Sequence, residues 1–411
     1  DLGVDPSELR IDEDDPGFKK EVYWVKQGGD NELDVPMFLR PTSETPMYTM
    51  FSLWIRSHAD LPLKTFQIVN TFRYETKQTR SFIRVREIHF FEAHTVHKNE
   101  EDATKQIEED AKMVQHILNE LCLPNIISKR PIWDTFPGAW YTTAADVIMP
   151  NGRTLQVGTY HHYRDQWAKS FDLKYEDENG DSQFCHQTTF GMSERLLGAV
   201  VGLHGDDQGL IFPPSVSPIQ VIIMPIASHI SKDVMDYARK IDSDLRKVGI
   251  RTKIDDRNIR PGTKHYDWEI KGVPIRLEIG PRDISDNKCV ISLRTGGKES
   301  ISLDNLGITV LTYLDLISDT LRENAKAIFD KMIHNLPNSS IVNGELIFSS
   351  KIRDDLIYEL PFDGNDSDAE LLEKSTGLTL LGECESKYQE KLQCVVTGKL
   401  TNKKQHLAKM Y

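Results

Sequence analysis

Hydrophobic and polar positions alternate from Phe66 to Glu75. Phe66, Ile68, Phe72 and Tyr74 mark one face of a strand, and Val69, Thr71, Arg73 and Glu75 project from the other. A polar loop over residues 76–81 follows. A second alternating run carries Arg84, Arg86 and His94, so residues 62–94 read as a hairpin. The period then lengthens: Ile107, Ala111, Val114, Leu118 and Leu121 fall at helical spacing and predict a helix over 100–122. Pro150-Asn151-Gly152 marks a turn before a strand over 154–160, and 193–203 reads as a helix with Leu196, Leu197, Val200 and Val201 apolar. Pro213-Pro214 suggests a domain boundary. Beyond it a buried strand (219–224), an amphipathic helix (232–248) and strands over 251–255, 273–279 and 288–292 predict a small α/β module. From about residue 309, Leu311, Leu314, Ile317, Leu321, Ala325 and Ile328 trace a long helix into a charged tail, and residues 1–20 read as an acidic loop. The chain shows no internal repeat.

Composition narrows the class. A chain of 411 residues has room for two or three domains, and 39% apolar with 27% charged residues suits a soluble protein with a substantial core. The best apolar run, 219–224, is far too short to span a membrane and is bracketed by Pro218 and Pro225. No signal-peptide pattern is present, so Asn338-Ser339-Ser340 is expected to be an unused glycosylation sequon. Five scattered cysteines without a CxxC pair suggest a reducing compartment, and a cytoplasmic location is expected. A net charge of −13 argues against a broad nucleic-acid-binding surface. One local basic patch, from Arg251 to Arg276, still leaves room for a nucleic-acid partner.

Four segments carry candidate chemistry. Paired strands presenting Arg73, Glu75 and Arg84 would form a floor for an anionic ligand; the alternative is an amphipathic hairpin with a solvated charged face. In Arg40-Pro41-Thr42-Ser43-Glu44-Thr45, Thr42 and Glu44 could accept hydrogen bonds from a cationic amine, whereas helix capping explains the same pattern without a ligand. In the strand end running from Gln156 to His162, Gln156 and Thr159 could bond a ligand. The adjacent histidines point to opposite faces, which disfavours a metal site. Phe190-Gly191-Met192-Ser193-Glu194-Arg195 joins a strand to a helix and places Arg195 in the first turn, where a cation opposes the helix dipole unless an anion or a carboxylate accompanies it. His204-Gly205-Asp206-Asp207 reads as a helix-ending turn.

Together these segments resemble the class II aminoacyl-tRNA synthetases, specifically the archaeal/eukaryotic-type prolyl enzymes. The markers are RPTSET (40–45), FRYET with RVRE (72–87), EAHT (92–95), LQVGTYHH (155–162), GMSER (191–195) and WEIKGVPIRLEIGPRD (268–283). The resemblance implies an α+β catalytic domain with an antiparallel sheet over 1–215, an anticodon-binding α/β domain over 216–308 and a small α+β C-terminal domain over 309–411. It implies a proline–tRNA ligase that uses ATP and Mg²⁺, takes proline and tRNA(Pro) as partners, and forms a homodimer away from membranes. Carried over by position, Arg73 and Arg195 are the expected catalytic residues. Glu75, Arg84, Val85, Gln156 and Thr159 join them in binding ATP, and Thr42, Glu44, Arg73, Phe90, His94, His161, Phe190 and Gly191 hold proline. Lys271, Arg276, Glu278 and Arg282 are the expected anticodon contacts. Anionic charge built at the α-phosphorus suits planar guanidiniums, and Glu44 suits a secondary ammonium.

The chain departs from the family in places. Motif 1 is not recognisable, and its usual place lies upstream of Asp1. Asp363 and Asp368 stand where relatives carry zinc-binding cysteines, and in Cys394-Val395-Val396 the second cysteine is valine, so no structural zinc and no cysteine metal ligand are expected. Trp140 occupies a place where relatives often have an acid, and Ile88 one where some have an aromatic. The interval from Thr95 to Phe190 is too short for the editing insertion that bacterial-type relatives carry there, so no editing domain is expected. The competing readings are a catalytically silent synthetase paralogue and a threonyl- or glycyl-type enzyme. Retention of Arg73, Glu75, Arg84 and Arg195 together disfavours the first, and the PTSE and GTYHH strings disfavour the second.

Overall fold

The sheet that carries most of the candidate residues has ten strands. The computed structural model describes residues 22–76, 78–226 and 232–411; the loop expected over 1–20 lies outside them. In chain order the sheet's strands are β1 (Leu63–Phe72), β2 (Glu87–His97), β3 (Asn125–Lys129), β4 (Tyr141–Ile148), β5 (Arg153–Arg164), β6 (His186–Ser193), β7 (Ile333–Asn335), β8 (Ile357–Pro361), β9 (Thr379–Gln393) and β10 (Leu400–Met410). Their spatial order is β7-β8-β10-β9-β3-β4-β5-β6-β2-β1, with β10 also pairing β5. From β3 to β1 every pairing is antiparallel.

The chain forms two compact units. One runs to Gln115 and includes Asn125–Gly198 and Met332–Tyr411; the other is His116–Pro124 with Ala199–Lys331. In the first unit the strands after Met332 extend the same sheet through β9 on β3 and β10 on β5. This corrects the expectation of a separate domain over 309–411. The long helix, Leu306–Met332, also begins before that boundary. Its buried face, Leu306, Val310, Leu314, Ile317, Leu321 and Ala325, keeps the three- and four-residue spacing that a helix needs to press one stripe into a core. There it meets Val221, Ile223, Leu245, Ile275 and Leu277, from a five-stranded sheet whose first three strands are parallel, as a small α/β module requires.

Most local expectations hold within a residue or two, and two need correction. Arg84 and Arg86 do not lie on a strand: β2 begins at Glu87, and residues 78–86 before it are a loop closed by an Arg80–Arg84 bridge. Phe66 and Ile68 mark one face as read, but they are 70% and 71% exposed, because β1 is the sheet's edge and its covered face is the opposite one. The cysteines are all free and buried among the described residues, as five unpaired thiols in an apolar core would be. No helix of the described residues is long and apolar enough to cross a membrane.

The tail shows where the aspartates went. Asp368 caps the helix Asp366–Thr376 reciprocally with Asn365, and Asp363 pairs with Lys403 at 2.9 Å. Cys394 is buried beside Leu360, Phe362 and Leu380, and its sulfur accepts the Asp363 N–H at 3.4 Å. Hydrophobic packing and a helix cap occupy this corner.

Candidate active site

A cavity of about 720 Å³ opens over β2, β4, β5 and β6. Its lining brings together Thr42, Glu44, Arg73, Glu75, Arg84, Val85, Phe90, Gln156, Thr159, His161, Gly191 and Arg195. These residues lie between positions 42 and 195 of the chain, and strand alternation explains how they meet. On β6, Thr189 and Gly191 face the cavity, so Phe190 between them must point away; it packs edge-on to Phe91 with ring centres 5.6 Å apart. The expectation that Phe190 walls the pocket is corrected by that two-residue period. His94 shares the face of Phe90 and Glu92 but lies beneath the wall, fully buried, with its Nε2 3.7 Å from Glu92.

One end of the cavity is anionic. The helix Glu44–Trp54 starts at Ser43, whose side chain makes no capping bond, so the simple cap reading fails. Glu44 instead is 2% exposed, accepts hydrogen bonds from the Tyr163 hydroxyl at 3.0 Å and from the Thr42 hydroxyl, and among the described residues pairs with no cation. Burial, with Glu44 adding to it, pushes the Tyr163 and Tyr48 phenols well above their ordinary range, so both stay protonated and Tyr163 donates. An uncompensated buried carboxylate is costly, and a cationic ligand would relieve the cost. His161 stands close by, its Nδ1 2.8 Å from the Thr142 hydroxyl and its ring 4.7 Å from that of Phe136. Burial, reinforced by His94 and Arg73, pushes its pKa down to about 3, so it presents a neutral ring. Glu92 is a second buried acid. Its burial opposes ionisation, but His94, Ser43 and Gln67 outweigh it and hold the carboxyl below its ordinary range.

The other end is cationic. Arg73 donates to the Pro41 carbonyl at 3.1 Å, which ties it to the loop that presents Thr42. Arg84 bonds Glu75 at 2.6 Å and the Tyr411 main-chain oxygen at 2.9 Å. Arg195 opens the helix Arg195–His204 and donates to the carbonyls of Ile83 at 2.8 Å and Gln156 at 3.4 Å. Burial, then the neighbouring Arg84 and Arg73, depress its pKa. Glu194 beside it lines the cavity with a buried carboxyl oxygen that has no hydrogen-bond partner. Such a hard oxygen donor next to an anion site fits Mg²⁺, which takes one or two carboxylates together with phosphate oxygens.

Sequence reading missed Arg130, Glu92, Tyr163 and Thr189. Arg130 is buried, pairs with Asp146 at 2.8 Å, and donates to the Gln156 side chain at 3.2 Å and the Leu381 carbonyl at 2.9 Å. Only its position in a strand-to-turn junction before an aromatic cluster could have flagged it. Trp140 lies outside the lining, and the Arg164 guanidinium stacks on its ring at 3.4 Å; Ile88 lines the cavity.

In the second unit, Glu278 receives Arg276 at 3.0 Å and Lys298 at 3.2 Å, with the His265 ring nitrogen 3.3 Å away, Lys271 lies 4.6 Å over the Trp268 ring, and Arg282 is exposed. Among the described residues no group of three potential ligands is placed to hold a metal ion.

An antiparallel sheet holding a carboxylate at one end of a cavity and three arginines at the other defines a class II aminoacyl-tRNA synthetase, and residues 23–204 match the class II core domain of the G, H, P, S and T synthetases. Residues 220–312 match an anticodon-binding domain. The chain belongs to the proline–tRNA ligases. It is 50% identical over 390 residues to that of Thermococcus kodakarensis, covering 93% of this chain and 80% of the relative. It is also 50% identical over 319 residues to that of Thermoplasma volcanium, covering 77% and 68%. The fold superposes on a prolyl-tRNA synthetase of Giardia lamblia solved with prolyl-adenylate: TM-score 0.89, 32% identity, covering 100% of this chain and 87% of the other.

Proposed function

We propose that this proline–tRNA ligase activates L-proline with ATP in the 720 Å³ cavity and passes the prolyl group to tRNA(Pro). The observation that carries the site assignment is the charge division of one cavity. Glu44, buried without a cation, would take the secondary ammonium of proline, with Thr42 beside it and Phe90, His161 and Gly191 around the ring. Arg73 reaches from the cationic end to the loop that presents Thr42. Tied to the Thr42 loop, it would hold the proline carboxylate against the α-phosphate. Arg84 and Arg195 would neutralise the outer phosphates, and Glu75, Val85, Gln156 and Thr159 would contact the nucleoside. Mg²⁺ would be held by Glu194 and would supply charge neutralisation to the triphosphate.

The chain's own residues act by placement. In-line attack of a carboxylate on phosphorus needs alignment and charge stabilisation rather than a protein nucleophile, and guanidiniums fixed by carbonyls reorganise little as charge develops. His161, kept neutral by burial, adds no charge to compete with the prolyl ammonium for Glu44. Lys271, Arg276, Glu278 and Arg282 are proposed to face the anticodon, supported by the domain match across them. Homodimerisation is supported by the exposed Phe66 and Ile68 on an unpaired sheet edge, and a cytoplasmic setting by five free thiols.

ATP–pyrophosphate exchange, measured with each of the twenty amino acids, tests the assignment. Proline should lead, with a weaker alanine signal, because a smaller side chain cannot be excluded by size. Exchange led by another amino acid, or none from folded protein, would overturn the pocket assignment.

A further inference from the structure

One exposed ring at the cavity has been assigned to neither ATP nor proline. Trp133 lies on the short turn Ile132–Asp134, lines the cavity and is 44% exposed. The turn is fixed on both sides. The Pro131 carbonyl accepts from the Asp134 N–H and from the Thr135 hydroxyl, each at 3.0 Å. Upstream, Arg130 is clamped by Asp146 and the Leu381 carbonyl; downstream, the Phe136 N–H donates to the Thr142 hydroxyl at 2.9 Å. An aromatic left half in solvent on a rigid support is the arrangement of a stacking platform, since little entropy is lost when a planar partner lands on it.

The bracketing residues locate the platform. Arg130 touches Gln156 at the nucleotide end, and the Phe136 ring touches His161 at the proline end. Trp133 thus sits on the rim segment that runs between the two ends, and the proposed proline and α-phosphate would meet between those ends. The reaction brings a third reactant to that junction, the terminal ribose of tRNA, whose base must be held outside the two occupied ends. The other exposed ring of the lining, Phe82, precedes Ile83, whose carbonyl holds Arg195, so it belongs to the ATP side.

We propose that Trp133 is a positioning residue for the transfer step: its indole stacks on the terminal adenine of the tRNA acceptor end and turns the ribose hydroxyl toward the activated prolyl carbonyl. In that step the hydroxyl oxygen forms the ester bond to the prolyl carbon and its proton passes to a phosphate oxygen of the departing AMP. The carbon–oxygen bond to phosphate breaks, AMP leaves with the bonding pair, and no redox change occurs. The inference rests on the cavity assignment above, and its test separates the two.

Proline-dependent exchange by the parent chain checks the assignment first; its absence would remove the premise and this inference with it. Given exchange, W133A should keep it within about twofold, because exchange requires no tRNA. Single-turnover transfer from preformed prolyl-adenylate should slow roughly 5- to 150-fold, the range one base–aromatic stack supplies. W133F, which keeps a π face, should recover most of the rate, and W133L, which keeps only bulk, should not. A tRNA with 2-aminopurine at its terminal position should be quenched by the parent chain and by W133F, and not by W133A or W133L. Unchanged transfer with unchanged quenching in W133A overturns the proposal. So does equal recovery by W133L and W133F, or parallel loss of exchange and transfer in folded W133F, which would mark the turn as structural support for the cavity.

Discussion

At the scale of single residues, the cavity is held by charges that are incomplete without ligands. Arg195 is fixed by the Ile83 and Gln156 carbonyls and crowded by Arg84 and Arg73, so its removal should spare the fold and damage the chemistry. Arg195→Ala is expected to lower ATP–pyrophosphate exchange by at least about 10²-fold, as loss of a preorganised charge contact does, with the far-ultraviolet spectrum unchanged. Normal exchange would remove its assigned role. His161 makes a different prediction. Unfolded imidazole titrates near 6.5, whereas burial holds the folded ring near 3. Between those values the unfolded chain binds a proton that the folded chain refuses, so stability present above pH 6.5 is lost as the pH falls. Replacing His161 with Asn should therefore flatten the decline in urea-unfolding free energy between pH 6.5 and 5 by roughly one proton's slope, about 1.4 kcal/mol per pH unit. A slope equal to that of the parent chain would refute the buried neutral state. His162, pushed down to about 4 by burial, should keep its own share of the slope.

At the scale of elements, strand alternation decides which side chains can act together. Gly191 faces the cavity, and a Cβ there would come 2.5 Å from the Phe90 ring. Gly191→Ala should displace Phe90 and raise the KM for proline about tenfold or more, an overpacking cost of 1–3 kcal/mol, while leaving the KM for ATP nearly unchanged. Equal changes in both constants would place the damage elsewhere. The same alternation shows what was legible beforehand. The helix and strand periods around residues 100–122 and 154–160 were strong enough to read, and so was the opposition of Arg73 to Phe72. Phe190 was misassigned because motif identity was followed where period two should have ruled. Arg84 was placed on a strand because charged alternation in a loop imitates strand alternation. In the second unit, Lys271 rests on Trp268 and Arg276 is held by Glu278. Lys271→Ala and Arg276→Ala should weaken tRNA charging more than exchange; equal losses in both assays would mean that these side chains support the fold.

At the scale of the whole molecule, the part least visible in sequence was how the tail is used. Periodicity identifies strands but not their partners, so the charged region after residue 332 looked like a domain of its own, whereas β9 and β10 complete the catalytic sheet. Arg130 was overlooked for the same reason: its Leu381 partner lies 251 residues away. The opposite edge of the sheet predicts assembly. Phe66 and Ile68 project from the sheet's edge strand, so Phe66→Asp with Ile68→Asp should convert the proposed dimer to monomer in sedimentation. An unchanged dimer would put the interface elsewhere. The hydrogen bond from Arg84 to Tyr411 joins residues 327 positions apart. At roughly 5–20 residues per second, a ribosome needs on the order of 15–65 s to travel that distance. For that interval a nascent chain already holds the arginine expected to meet the phosphates of ATP, without the backbone oxygen that steadies it. Catalytic readiness is thus withheld until synthesis has passed through the second unit and returned to the first.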